Sequence, residues 1–330
     1  MRRPAIYQPH PYLLYELTPR YVSRDGLTHH NSYGFRGPEF PLEKPAGTYR
    51  IVCMGESSTY GTGIRADEAT YPARLGAHLR QASPHRTIEV LNAGVGGYTS
   101  AESLLQFIFK VQPIEPDLVL YYYTHNDVHP RRFPTLSRDY REYSKSWYEP
   151  PRASGWRRLR QALIRWVSPG SASIGELVRR YAEYEGRRQA SNVLRNPPDY
   201  FQANLSCLAM LARGWGSEVL FVNPPYRGLV GARGMEPVNP VVQGVQEHRR
   251  IVEGLGREFG CRVFDLLPRM PYPATREELA QPGSLYRDWV HVSERGADLM
   301  GWLIAGEVAS SGCLGPAVPA APDRVAAGAS

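Results

Sequence analysis

An α/β fold, a parallel sheet flanked by helices, is what this sequence predicts, and two patterns predict it. From Tyr49 onward, short β-branched runs alternate with longer stretches of helical period. The first three of those runs each lead straight into a turn rich in Gly, Asn or Ser, the arrangement that exposes functional groups at the carboxyl edge of an open sheet.

The elements follow in order. Arg50–Met54 (RIVCM) reads as the first strand and enters the glycine-rich turn Gly55–Gly63. A helix is expected over Tyr71–Gln81, a second strand over Thr87–Leu91, a turn at Asn92–Gly97 and a helix over Ser100–Val111. Asp117–Tyr122 (DLVLYY) is the third strand, running into Thr124-His125-Asn126-Asp127. The pattern resumes with a helix at Asp199–Arg213, a strand at Glu218–Val222, a helix at Val241–Phe259, a strand at Arg262–Phe264 and a last helix from Glu294 to Ala309.

Three stretches fall outside this alternation. Residues 1–45 are rich in aromatics and prolines without a clear period and are expected to wrap the core as an extended arm. Residues 129–198 read as an arginine-rich helical insertion, or cap, between core segments 46–128 and 199–310. Within it Trp156, Leu159, Leu163, Trp166 and Val167 share one helical face, and Glu176–Arg180 and Glu183–Arg187 are spaced to pair on a solvated helix. Residues 311–330, dominated by Ala, Pro and Gly, are expected to be a disordered tail.

The net charge of +7 is localised. Residues 129–198 hold 15 Lys+Arg against 6 Asp+Glu, whereas the rest of the chain is slightly acidic, with 24 against 26. A basic helix there could lie on an anionic membrane surface, or its arginines could select an anionic substrate. No nucleic-acid-binding motif accompanies it. No apolar run approaches the ~18 residues of a membrane span, and Pro4, Pro9 and Pro11 interrupt any secretory h-region, so a cytoplasmic location is expected. The cysteines Cys53, Cys207, Cys261 and Cys313 have neither zinc-site nor disulfide-framework spacing, and Cys53 and Cys261 read as buried hydrophobes.

The chemistry is concentrated in the turns. Ser57, in Gly55-Glu56-Ser57-Ser58-Thr59-Tyr60-Gly61, sits where the first strand ends; Thr59 departs from the G-x-S-x-G elbow. Asp288-Trp289-Val290-His291 places a carboxylate three residues before an imidazole, a spacing that lets the carboxylate orient the ring and the ring act as general base. Gly97 after the second strand and Asn126 after the third supply the donor types of an oxyanion hole, a backbone N–H and a side-chain amide. Taken singly, each is as well read as a turn, cap or surface residue. Their order is the distinguishing feature.

The succession Ser57, Gly97, Asn126 and Asp288/His291 resembles the SGNH (GDSL-type) hydrolases, over roughly residues 49–128 and 199–309. The family's Gly-Asp-Ser-Leu block reads Gly55-Glu56-Ser57-Ser58 here, and His125 stands where the family usually has glycine. The resemblance implies a three-layer α/β/α, flavodoxin-like fold with a five-stranded parallel sheet in the order 2-1-3-4-5. It also implies acyl transfer through an acyl-enzyme: Ser57 is the nucleophile, Asp288 and His291 complete the triad, and Ser57, Gly97 and Asn126 form the oxyanion hole. No metal or organic cofactor is required. Glu56 and His125 are candidate substrate contacts. The expected activity is hydrolysis of a carboxylic ester on a sugar or natural product. Transfer of the acyl group to an acceptor alcohol by the same triad is the alternative, and a membrane-surface binding module is a further one.

Overall fold

Strands that are buried on both faces have to be apolar at consecutive positions, and the central runs of this chain are. In the computed structural model, which describes residues 5–140, 143, 193–226, 240–273, 275–312 and 314, an N-terminal hairpin β1 (Tyr7–His10) and β2 (Leu14–Leu17) precedes the sheet. Then come β3 (Thr48–Gly55), a single helical turn α1 (Ser57–Tyr60), α2 (Tyr71–Ala82), β4 (Thr87–Asn92), α3 (Ser100–Gln106) and β5 (Leu118–Tyr122). The second half comprises α4 (Asp199–Gly214), β6 (Glu218–Asn223), α5 (Pro240–Phe259), β7 (Arg262–Asp265), α6 (Arg276–Ala280) and α7 (Glu294–Ser310).

The five strands β4-β3-β5-β6-β7 are all parallel, with Cys53 opposite Asn92 on one side and Leu120 on the other. Counted within this sheet, the order is 2-1-3-4-5, as expected. Alternate residues feed two cores. Ile51, Cys53, Leu118, Leu120, Tyr122 and Leu220 face α2 and α7, while Val52, Met54, Val119, Tyr121 and Phe221 face α3, α4 and α5. The result is three layers, with all eight residues of β3 buried between them.

Each helix and strand expected in the core segments is observed with ends within two residues, apart from the helix expected over Ser100–Val111, and β1, β2, α1 and α6 are additional. That helix, α3, is α-helical only to Gln106, then widens to a π turn over Phe107–Val111 before a turn containing Pro113, which has no N–H with which to continue a helix.

The N-terminal segment is not an extended arm. Its hairpin buries Leu13, Tyr15 and Leu17 against Tyr60, Val95 and Tyr98. Farther along, Arg36 bridges to Asn92 at the end of edge strand β4. Aperiodic sequence concealed this compact packing because turns, not long elements, carry it. The helices expected around Trp156–Val167 and Glu176–Arg188, and the tail beyond Leu314, lie outside the described residues. Where the expected insertion begins, Arg131 is buried and donates to Glu247 of α5 at 2.5 Å and to the Asn196 carbonyl at 2.9 Å.

Candidate active site

All of the sequence-selected turns meet at the carboxyl edge of the sheet. Gly55 ends β3 at φ 147°, and a Cβ there would stand 2.1 Å from the Tyr122 carbonyl oxygen, so the tight exit from the strand requires glycine. Glu56 then occupies the N-cap position of α1 without a side-chain capping bond, and Ser57 is the helix's first residue. That position leaves the Ser57 N–H without an intrahelical acceptor and aimed away from the turn. Arg36, fully buried, donates to the carbonyls of Tyr60, Gly61, Ile64 and Arg65 and to Asp67, clamping the loop that follows the serine.

The other partners come from the opposite end of the chain. Asp288 Oδ1 accepts the backbone N–H groups of Val290 and His291, both at 2.8 Å, closing a local turn. Its Oδ2 lies 2.7 Å from His291 Nδ1, and His291 Nε2 lies 2.8 Å from Ser57 Oγ. Burial alone would push the Asp288 carboxyl up. The bonds from the His291 ring and from the two N–H groups outweigh it and hold the group at about 2. An ionised Asp288 requires the proton on Nδ1, leaving Nε2 to accept from the Ser57 hydroxyl. The loop is pinned by Tyr272, which donates to the Trp289 carbonyl at 2.7 Å, and by Ser293, which caps α7.

Facing Ser57 are the turns after β4 and β5. Gly97 adopts φ 85°, and a methyl placed on Gly96 would come within 3.9 Å of Ser57 Cβ, so this turn adjoins the serine. Asn126 is buried and donates one amide hydrogen to the Tyr98 carbonyl at 2.9 Å. Its second hydrogen remains for another acceptor.

Glu56 does not face the opening as a substrate contact would. It is wholly buried, accepting the Thr124 N–H at 3.0 Å and the Asn126 N–H and bonding the Thr124 hydroxyl. Burial raises its carboxyl to about 8, so it is largely protonated at neutral pH. A protonated Glu56 can donate to Thr124 Oγ1, freeing the threonine hydrogen for His125 Nδ1 at 3.2 Å. The His125 proton then sits on Nε2. Burial, then the neighbouring His291, lowers the His125 pKa to about 4, so the ring is neutral. Next to it, Asp127 accepts the Ser100 N–H at 2.9 Å and its hydroxyl at 2.5 Å, and burial raises that carboxyl to about 7.

A cavity of about 10 Å³ lies beside the histidine loop, lined by Thr124, His125, Pro224, Tyr226, Trp289 and Val290 among others. That is room for a single water-sized group. Among the described residues there is no cluster of His, Cys, Asp and Glu that could hold a metal ion, and no helix is long and apolar enough to cross a membrane.

Comparison with known proteins shows the family. The family model described as GDSL-like Lipase/Acylhydrolase family matches residues 53–299. The chain belongs to that family. It is a hydrolase acting on esters. Among solved structures it is similar to an acetylxylan esterase from Geobacillus stearothermophilus, with 16% identity, 79% of this chain and 94% of that chain covered, and a TM-score of 0.48. It is also similar to an alpha/beta hydrolase enzyme from the metagenome of Lake Arreo, Spain, with 17% identity, 84% and 100% covered, and a TM-score of 0.48. No curated protein matches.

In this GDSL-like chain the structure brings Ser57, His291, Asp288, Gly97 and Asn126 together and leaves Glu56 beneath them. Sequence reasoning missed Thr124, Asp127 and Ser100, which strut the loops, and Tyr15, which reaches the Gly96 carbonyl from β2. One signal was available. Thr99-Ser100-Ala101-Glu102 is a capping box, and Thr99 and Glu102 do close the start of α3 on each other.

Proposed function

We propose that this enzyme is a serine-dependent carboxylic-ester hydrolase that works through an acyl-enzyme and removes a short acyl group from a sugar or natural product. The observation carrying the proposal is the continuous chain from Asp288 to His291 to Ser57, at 2.7 and 2.8 Å, beside the turn that holds Gly96 and Gly97. In the first half-reaction Ser57 Oγ attacks the acyl carbon and its proton passes to His291 Nε2. The Ser57 and Gly97 N–H groups and the free Asn126 hydrogen receive the developing oxyanion. The ester C–O bond breaks as His291 protonates the leaving alcohol. Water, deprotonated by His291, then releases the carboxylic acid from Ser57.

Hydrolysis is favoured over transfer to an acceptor alcohol because Ser57 and His291 are only partly buried and Asp288 is half-exposed, which gives water access. A neutral His125 with its proton on Nε2 has a hydrogen to offer a substrate oxygen. Turnover of p-nitrophenyl acetate, butyrate and octanoate by wild type and Ser57→Ala tests the reading. Expected are rates falling with chain length and a loss of about 10³-fold or more in the variant. Equal rates in the two proteins would refute Ser57 as nucleophile. A rate that climbs with added alcohol, with the ester of that alcohol as product, would favour transfer.

A further inference from the structure

We propose that Tyr15, on the N-terminal hairpin, is a positioning residue that sets the direction of the Gly97 N–H in the oxyanion hole. The inference rests on the catalytic reading above and goes beyond it, since the family match begins at residue 53 and this hairpin precedes it.

The reasoning starts from one peptide unit. The Gly96 carbonyl and the Gly97 N–H belong to the same planar trans peptide, so they point in opposite directions. Tyr15 donates its hydroxyl hydrogen to the Gly96 oxygen at 2.8 Å. Whatever holds that oxygen holds the N–H at the other end of the plane. The unit needs holding because glycines flank it on both sides. With no Cβ at either position, the peptide can rotate about its flanking bonds at little steric cost, and Gly97 already sits at φ 85°. A rotated peptide would present a carbonyl oxygen to the developing oxyanion in place of a donor. Hydrogen bonding at the carbonyl also polarises the peptide and strengthens its N–H as a donor.

The hairpin is built to hold the tyrosine still. Tyr15 and Leu17 alternate inward along β2, and both are buried. Tyr98 donates to the Tyr15 carbonyl at 2.6 Å, so the residue after the glycines grips the same tyrosine from its backbone. On the outward side, Glu16 pairs with Lys110 at 2.7 Å and accepts from Gln8 at 2.7 Å. The Tyr7 ring packs edge-on to Tyr15 at 5.2 Å, and its hydroxyl approaches Gly96 so closely that a Cβ there would stand 2.5 Å away. Hydrogen bond and steric contact thus act on the same turn.

Tyr15→Phe removes one hydroxyl and keeps the ring, so it separates positioning from packing. Tyr12→Phe is the control, because Tyr12 lies at the hairpin tip, 68% exposed and away from the glycines. Four quantities are measured on wild type and both variants: kcat and KM for p-nitrophenyl acetate, the rate at which a fluorophosphonate labels Ser57, and the thermal midpoint. For Tyr15→Phe the expected result is a loss of about tenfold in kcat and in labelling rate with KM within about twofold. That is smaller than the 10²–10³ of deleting a donor outright, because the N–H remains. Tyr12→Phe is expected to match wild type. Unchanged kcat and labelling in Tyr15→Phe would overturn the proposal. So would a change confined to KM, or a loss that disappears when rates are corrected for folded fraction. A wild type that neither turns over the ester nor labels at Ser57 would overturn the catalytic reading itself and this inference with it.

Discussion

The two sides of the candidate active site are held by opposite strategies. The acid–base side, Asp288 to His291, is a local turn: the carboxylate accepts two N–H groups two and three residues onward and orients a ring in the same tetrapeptide, with Asp288 half-exposed. The proposed oxyanion side is assembled from three separate turns and struts buried beneath them, with Glu56 reaching across 68 residues to Thr124, Asp127 across 27 to Ser100, and Tyr15 across 81 to Gly96. Local geometry suffices where a charge has to be oriented beside water. Donors that meet an oxyanion within a few tenths of an ångström need a rigid frame, and here the frame is a buried polar network in which each member satisfies another.

The sharpest way to test that contrast is to damage each side and compare function with stability. Asp288→Asn should have the largest effect on rate, about 10²–10⁴-fold in kcat, because the amide cannot hold the Nδ1–H tautomer or stabilise the protonated ring. Its unfolding midpoint in urea should scarcely move, since a half-exposed turn carboxylate contributes little to stability. A large loss of stability would refute the description of this side as local.

Glu56→Ala should show the reverse balance. Removing the fully buried carboxyl leaves the Thr124 and Asn126 N–H groups without their acceptor and opens a void, at a cost of about 2–4 kcal/mol in urea unfolding. Activity should fall with it, because Asn126 carries one of the proposed oxyanion donors. Glu56→Gln, which retains an acceptor and a donor in nearly the same shape, should recover most of both. Full activity in a destabilised Glu56→Ala would separate the strut from the oxyanion hole.

The smallest effect is a slope. Burial raises Glu56 from 4.5 to about 8 and Asp127 from 3.8 to about 7. Between the unfolded and folded values the native chain holds protons that the unfolded chain has released. The stability this confers is complete below the unfolded values and is lost as pH rises through the folded ones. Wild-type stability should therefore carry a downward contribution between about pH 5 and 8, and Glu56→Gln should flatten it. Identical slopes by urea unfolding at several pH values would show that Glu56 is ionised throughout. His125, next along the same chain of bonds, would then lose its reason for the Nε2–H tautomer.

Much of the scaffold was legible in the chain because its determinants are short-range. Continuous apolar runs such as Arg50–Met54 and Asp117–Tyr122 identify strands buried on both faces, and the 3.6 period of Val241–Phe259 identifies its helix. The D-x-x-H turn was legible for the same reason, since its hydrogen bonds close within four residues. Ser57, Gly97 and Asn126 were legible by their place just after successive strands, a consequence of parallel topology that brings every carboxyl end to one edge. What the chain alone did not disclose is which buried side chain grips which loop. Glu56 looks from sequence like a polar neighbour of the nucleophile; only the packed sheet shows it turned inward toward Thr124. Tyr15 looks like one aromatic in a stretch without a period, and only docking of the hairpin sets its hydroxyl on Gly96. Periodicity and turn chemistry are local properties and can be read along the chain. A hydrogen bond between residues 81 positions apart exists only once hydrophobic burial has brought their backbones together, so the tertiary structure alone decided it.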